Sequence, residues 1–156
     1  TGQTGVLIAE SGIAIDAIVS DFISGAVEWL SPDNADDHWD IIEGQGSLFH
    51  PSFAGVSLGL LHGSQPDKFI VCHEPTRANM RGVENKLPDI SEVISKTSEL
   101  GKLTNPNIEC VGIALNTSNM SDGSEDLKKE ISDQYSIPCL DPLKDDLSDF
   151  INLIKK

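Results

Sequence analysis

The chain has 156 residues, of which 38% are hydrophobic, and this suits one folded domain with a core of its own. Its formal net charge is −14, from 25 acidic and 11 basic residues, so its surface would repel nucleic acid. No apolar run approaches the roughly 20 residues that a membrane span needs. Three cysteines are an odd number without a CxxC pattern, which favours reduced thiols and a cytoplasmic location over a disulfide framework or a zinc site.

The charge is unevenly distributed along the chain. The first 67 residues hold ten acids and neither lysine nor arginine, whereas the remainder holds fifteen acids and all eleven bases. Most of these acids are explained by solubility or by a salty habitat. If the protein handles a nucleotide, however, this first part cannot supply the usual phosphate-binding lysine.

Hydrophobic periodicity predicts alternating helices and strands. In chain order we expect a helix at 14–30, a strand at 38–43, a helix at 51–62, a strand at 68–73, a helix at 88–100, a strand at 109–115, a helix at 124–135, a strand at 137–140 and a helix at 145–154. Strands separated by helices indicate a mainly parallel sheet with helices on both faces. With no linker or repeat, we predict a single domain over 1–156.

Polar clusters follow three of the predicted strands, at residues 43–47, 73–77 and 116–118. Ligands of open α/β sheets lie beyond the carboxyl ends of the strands, so we expect the three clusters to meet at one edge. In the first cluster Glu43 precedes Gly44, Gln45, Gly46 and Ser47, whose glycines let the backbone approach a ligand. The alternative for Glu43 is a solvated acid in a tight turn.

Several side chains are candidates for acid–base or anion-binding roles. Imidazole titrates near neutrality, so His50, His62 and His73 are considered, although a single histidine is more often packed or at the surface. His73 is the best candidate because it lies at a strand end beside Glu74. The first two arginines of the chain could hold a carboxylate or phosphate in bidentate fashion: Arg77 and Arg81.

A dense set of segments resembles a known family. The segments are Thr1–Gly5 (TGQTG), Ser11–Ala14 (SGIA), the helix Asp16–Leu30, Glu43–Leu48 (EGQGSL), Leu61–Ser64 (LHGS) and Cys72–Arg77 (CHEPTR). They resemble the C-terminal P-loop domain of the D-glutamate N-acetyltransferase family, formerly a domain of unknown function. The resemblance covers about Thr1 to Ser118, and beyond it only the helix–strand–helix pattern matches.

The resemblance implies a three-layer P-loop NTPase-like α/β/α fold, distantly similar to dethiobiotin synthetase, and acetyl transfer to the amine of D-glutamate. Family members also carry an N-terminal Rossmann-like domain and a phosphate-loop strand ahead of the region that resembles Thr1. The motif GxxxxGK[ST] is absent from these 156 residues. We therefore expect a C-terminal domain truncated at its N-terminal end, lacking the phosphate-loop strand and inactive by itself.

Site residues follow from the residues and the resemblance together. Glu43 resembles a carboxylate near magnesium, and Asn116 resembles an asparagine that recognises a nucleotide base, although it could equally cap the following turn. We predict catalytic roles for Glu43, His73 and Glu74, cofactor binding by Gly44, Gln45, Gly46, Ser47, Arg77 and Asn116, substrate binding by Gln3, Thr4, His50 and Arg81, and a metal at Glu43.

The implied cofactors are ATP with Mg²⁺, or acetyl-CoA. Two other functions stay open: an ATP-dependent carboxylate or amine ligase of dethiobiotin synthetase type, and a non-catalytic nucleotide-binding or assembly module. The expected partners are a small-molecule substrate and further copies of the chain in a homo-oligomer, with neither nucleic acid nor membrane.

Overall fold

A computed structural model describes residues 3–155, apart from the side chain of Gln3. The helices are α1 (Gln3–Ala9), α2 (Ile23–Leu30), α3 (Ala54–Ser64), α4 (Ile90–Gly101), α5 (Ser124–Tyr135) and α6 (Ser148–Ile154). The strands are β1 (Lys68–His73), β2 (Glu109–Leu115) and β3 (Cys139–Leu140), and short 3₁₀ turns occupy Ile15–Ala17 and Ser20–Phe22.

The described residues form two compact units. The first runs to Pro66 and includes Glu99–Asn107, and the second comprises Asp67–Ser98 and the residues from Ile108 onward. The assignment of a single domain to 1–156 stays a prediction.

The second unit is built on a parallel sheet with strand order β1-β2-β3. Residue His73 pairs with Leu115, and Ala114 pairs with Leu140, so the carboxyl ends of all three strands lie at the same edge. The register shifts once between Phe69 and Ile70, where β2 has an additional residue. The α/β class and the parallel sheet predicted from the sequence are confirmed.

Helices cover both faces of this sheet. On one face Val71, Ile113 and Leu115 form a buried cluster with apolar residues of α4 and α5. On the other face Gly112 leaves room for the ring of Phe150 in α6, since a Cβ atom at Gly112 would lie 2.7 Å from that ring. Because successive residues of a strand point to opposite faces, these two contacts belong to different layers.

The local sequence of α5 explains its boundaries. Glu125 and Asp126 lie in the first turn, where carboxylates interact favourably with the positive end of the helix dipole. Ser136 ends the helix with a positive φ of 55°, the left-handed conformation that commonly follows a helix. The prediction of 124–135 matched this helix.

The first unit has a core of its own between α2 and α3. Ile15, Ile23, Val27 and Leu60 are buried together there. The two helices approach closely at Gly63, where a Cβ atom would lie only 2.3 Å from the carbonyl oxygen of Ser24.

The predicted strand at 38–43 was wrong. Residues 38–45 have no regular secondary structure, and Ile41 is 88% exposed. An apolar run forms a strand only when another strand supplies hydrogen-bond partners. Within the described part of the chain, this segment pairs with no strand.

The predicted helix at 14–30 is interrupted rather than continuous. Ile18 and Val19 adopt extended backbone angles, and only Ile23–Leu30 is α-helical. Both interrupting residues are β-branched, which lowers the preference for helix. Smaller shifts affect four other elements, which were predicted at 51–62, 88–100, 137–140 and 145–154. Residues Gln3–Ala9, for which no element was predicted, form α1.

Candidate functional site

Residues that follow β1 and β2 are joined by hydrogen bonds at the carboxyl edge of the sheet. The backbone N–H of Asn116 donates to the carbonyl of His73 at 2.9 Å. Asn119 Nδ2 donates to Glu74 Oε1 at 3.0 Å, and the other oxygen of Glu74 pairs with Arg77. Two of the three polar clusters predicted from the sequence are therefore neighbours in the structure.

His73 is half-buried at this edge. Burial lowers the pKa of its imidazole, and the nearby Arg77 guanidinium lowers the pKa further, which outweighs the opposite influence of Glu74. The lowered pKa favours the uncharged imidazole, the form that can accept a proton.

The side chain of Asn116 is itself exposed, and its Oδ1 accepts a hydrogen bond from the N–H of Ser118 at 3.1 Å. This is the turn-capping role named as the alternative to base recognition. Base recognition by the amide nitrogen of the same side chain stays a prediction.

A buried polar pair connects the loops that follow β2 and β3. Thr117 and Asp141 are both 0% exposed. The hydroxyl of Thr117 donates to Asp141 Oδ2 and accepts from Lys144 Nζ at 2.7 Å. Hydrogen bonding from Thr117 is the main cause of the lowered pKa of Asp141, and the Leu143 N–H and the Lys144 charge also contribute. The pair fixes the loop that carries Asn116 and Asn119.

An ion pair between Lys128 of α5 and Asp145 lies next to this polar pair, since Asp145 also accepts a hydrogen bond from the N–H of Asp141. Lys128 is 7% exposed, and its ammonium contacts the two carboxylate oxygens of Asp145 at 2.6 and 2.7 Å and Glu125 at 2.8 Å. Burial opposes its charge, but the hydrogen bonds with Asp145 and Glu125 prevail and raise its pKa. Cys139 lines the adjacent cavity of about 410 Å³, and burial raises its pKa to about 11.

Sequence reasoning missed both buried groups. Thr117 and Asp141 are 24 residues apart, and Lys128 and Asp145 are 17 apart, so no local spacing pairs them. The available signal was the position of Asp141 directly after a short apolar strand.

The predicted glycine turn lies in the first compact unit. Gly46 has a φ of 26°, and a Cβ atom there would lie 2.6 Å from Cβ of Phe53, so the turn requires glycine. Ser57 Oγ donates to the carbonyl of Gln45 at 2.6 Å and ties the turn to α3, while Ser47 Oγ accepts from the N–H of Phe49 at 3.1 Å. Glu43 and Gly44 are exposed beside it.

The remaining predicted residues have varied surroundings. His50 is buried, its Nδ1 accepts from the N–H of Ser52 at 3.1 Å, and its ring lies 4.5 Å from that of Phe53. His62 Nε2 is 3.0 Å from the carbonyl oxygen of Leu100. Thr4 and Arg81 are exposed, whereas the side chain of Gln3, with Thr1 and Gly2, lies outside the described residues.

A groove of about 340 Å³ lies beside the His73 cluster in the second unit. One wall is the segment Leu87–Ile90 ahead of and entering α4, and the other is one face of α5. His73 and Arg77 also line it, which connects the groove with the carboxyl edge of the sheet.

No membrane-spanning candidate occurs among the helices of residues 3–155, none of which combines the length and apolar character required. Over the same residues, no group of three or more His, Cys, Asp or Glu side chains is arranged to hold a metal ion. A metal at Glu43 stays a prediction.

Comparison with known proteins gives the family. Residues 1–151 match the family described as "Domain of unknown function (DUF1611_C) P-loop domain". The chain belongs to the DUF1611 family. Its resemblance to the P-loop domain, inferred from the sequence segments, is confirmed.

Two relatives of this DUF1611 chain carry the name D-glutamate N-acetyltransferase. The protein from Pseudoalteromonas sp. is 51% identical over 153 residues, covering 97% of this chain and 46% of the relative. The protein from Tritonibacter scottomollicae is 45% identical over 148 residues, covering 92% of this chain and 44% of the relative. The chain thus spans less than half the length of either relative.

A solved structure has the same fold. The crystal structure of a DUF1611 family protein from Anabaena variabilis ATCC 29413 superposes with a TM-score of 0.82 at 29% identity. The match covers 100% of this DUF1611 chain and 47% of the crystallised one.

Proposed function

We propose that this chain is the C-terminal domain of an N-acetyltransferase that acylates the amine of D-glutamate. The observation that carries the proposal is the similarity to two proteins named for that reaction, at 51% and 45% identity over almost the whole chain. The edge formed by His73, Glu74, Arg77 and Asn119 is the region we assign to it.

The chemistry required is limited to a base and an anchor for the acceptor. The amine nitrogen attacks the carbonyl carbon of an acetyl thioester, so a C–N bond forms and the C–S bond breaks. His73, in the uncharged form that its lowered pKa favours, takes the proton that the nitrogen loses, and the departing thiolate then receives that proton. Arg77 is oriented by Glu74, which is itself held by Asn119, and would bind a carboxylate of the acceptor.

The glycine turn at residues 43–47 is the second element of the proposal. Considered by itself, this turn of the first unit could present its backbone amides to an anionic group such as a phosphate. Mg²⁺ takes few protein carboxylates and several waters, so the exposed Glu43 is chemically sufficient as its protein ligand.

A chimaera tests the function, because the longer relatives include sequence that this chain does not match. The 156 residues replace the matched region of the Pseudoalteromonas protein, and acetyl transfer from acetyl-CoA to D-glutamate is followed by mass spectrometry. We expect turnover with D-glutamate and a loss of about 10²-fold or more in His73→Gln, the range for removing an acid–base group.

The matched control is His38→Gln, which alters an exposed histidine that is hydrogen-bonded to Asp40. It should retain the rate of the chimaera. A folded but inactive chimaera beside an active parent would contradict the proposal. Product formation that requires ATP would favour the ligase alternative, and binding of ATP without any turnover would favour the nucleotide-binding module.

A further inference from the structure

The groove beside His73 extends along α5. This helix lines it with five residues at i, i+3, i+4, i+7 and i+8, which share one helical face: Leu127, Glu130, Ile131, Gln134 and Tyr135. At 1.5 Å per residue this face is about 12 Å long. The groove is therefore longer than a single bound amino acid requires, and His73 also lines it.

The floor of the groove is apolar. Leu127 packs against the core cluster that includes Ile90 and Ile131, and all three line the groove. At its Tyr135 end, Gln134 Nε2 donates to the Tyr135 hydroxyl at 3.2 Å, and that hydroxyl still has its own hydrogen to donate. This combination suits methylene groups along the floor and amide groups near Tyr135.

The charges of the groove disfavour an anionic occupant. Asp89 and Glu130 are exposed acids on its two walls, and Arg77, the only lysine or arginine among the described residues that line it, is already assigned to the acceptor. With a chain net charge of −14, a polyphosphate would meet repulsion along this groove. An elongated uncharged segment would not.

We infer that this groove binds the pantetheine arm of an acyl-thioester donor, with the thioester next to His73 and the arm extending along α5 toward Tyr135. The arm is an uncharged chain of methylene and amide groups, which matches the floor and the polar end. The inference rests on the proposed acyl transfer and assigns its donor subsite. The charged part of the donor would lie outside the groove.

The test uses the only tyrosine of the sequence as a reporter. The 156-residue protein is labelled in the ring of its tyrosine and titrated separately with pantetheine, coenzyme A and ATP. The single ring signal is followed by NMR. We expect saturable shifts with pantetheine and coenzyme A, and none with ATP at the same concentrations.

Paired substitutions on α5 localise the binding. Glu130→Trp fills the groove with a large side chain, whereas Asp133→Trp makes the same change of charge on the same helix outside it. We expect Glu130→Trp to weaken the coenzyme A affinity at least tenfold and Asp133→Trp to leave it within twofold. Isothermal titration calorimetry gives the affinities, and circular dichroism verifies that both variants are folded. If Glu130→Trp does not fold, Gln134→Trp replaces it.

Each outcome decides the inference. Absence of a tyrosine shift up to millimolar pantetheine and coenzyme A, an equal shift with ATP, or equal affinities in the two variants would overturn it. Turnover by the chimaera with unaltered donor affinity in Glu130→Trp would reject the groove while leaving the acetyltransferase proposal intact. Specific binding without turnover would keep the groove and reject the reaction.

Discussion

The contact between α2 and α3 predicts a large difference between two glycine substitutions on the same helix. A Cβ atom at Gly63 would lie 2.3 Å from the carbonyl oxygen of Ser24 and 2.6 Å from Cβ of Val27. At Gly55 it would meet no atom within 4 Å. Alanine gains up to about 1 kcal/mol over glycine in a helix at either position. Only Gly63→Ala also incurs overpacking, which costs about 1–3 kcal/mol.

We therefore expect Gly63→Ala to be less stable than Gly55→Ala by about 1–3 kcal/mol, because the obstructing atom at Gly63 belongs to the backbone and cannot rotate away. For a chain of this size the melting temperatures should differ by roughly 2–12 °C. Urea denaturation followed by circular dichroism gives the free energies, with the m-value verifying that both variants unfold over the same surface. Equal stability, or a more stable Gly63→Ala, would refute the described packing of α2 on α3.

Three further predictions concern the second unit. Lys128→Met should cost about 2 kcal/mol because it leaves the Asp145 carboxylate without its buried partner, whereas Met at the exposed neighbour Lys129 should change stability by less than about 0.5 kcal/mol in the same urea assay. Thr117→Val should cost about 1–2 kcal/mol, since a methyl replaces the hydroxyl between Asp141 and Lys144; a neutral result would show that this pair is dispensable. His73 has a folded pKa below its unfolded value of 6.5, so its contribution to stability is present above pH 6.5 and is lost as the pH falls through the folded pKa. His73→Gln should therefore flatten this part of the stability–pH curve, and an unchanged slope would contradict the assigned burial.

The sequence predicted correctly those elements that depend on neighbouring residues alone, and it failed where an element depends on distant parts of the chain. Helix 124–135 and strands 68–73 and 109–115 were predicted with correct bounds, because periodicity and flanking turn residues define them locally. The segment 38–43 has an equally good strand pattern, but a strand also needs a neighbour, and no spacing rule supplies one. The prediction of one helix over 14–30 was wrong at Ile18 and Val19, which interrupt it. The apolar spacing indicated a continuous helix, and the low helix preference of these two β-branched residues was not weighed against it.

The same distinction applies to the candidate site. His73, Glu74, Arg77 and Asn116 could be proposed from the sequence because each lies at or just after the end of a recognisable strand, and the parallel sheet then brings the ends of β1 and β2 together. Thr117 belonged to the predicted polar cluster 116–118 but received no role of its own, because its role depends on Asp141, which is distant in sequence. Long-range pairs of this kind require the register of the sheet before they can be recognised.

The three cysteines determine how the protein can be handled and labelled. Partial desolvation raises the pKa of Cys72, Cys110 and Cys139, the last to about 11, even though Cys72 is the most exposed of the three. Since the thiolate is the form that reacts, all three should resist air oxidation and alkylation at neutral pH. Cys72 is exposed while the other two are half-buried, so mild alkaline maleimide treatment should modify it first. A fluorophore introduced in this way would lie next to His73 in the chain, at the edge of the sheet where we place the chemistry.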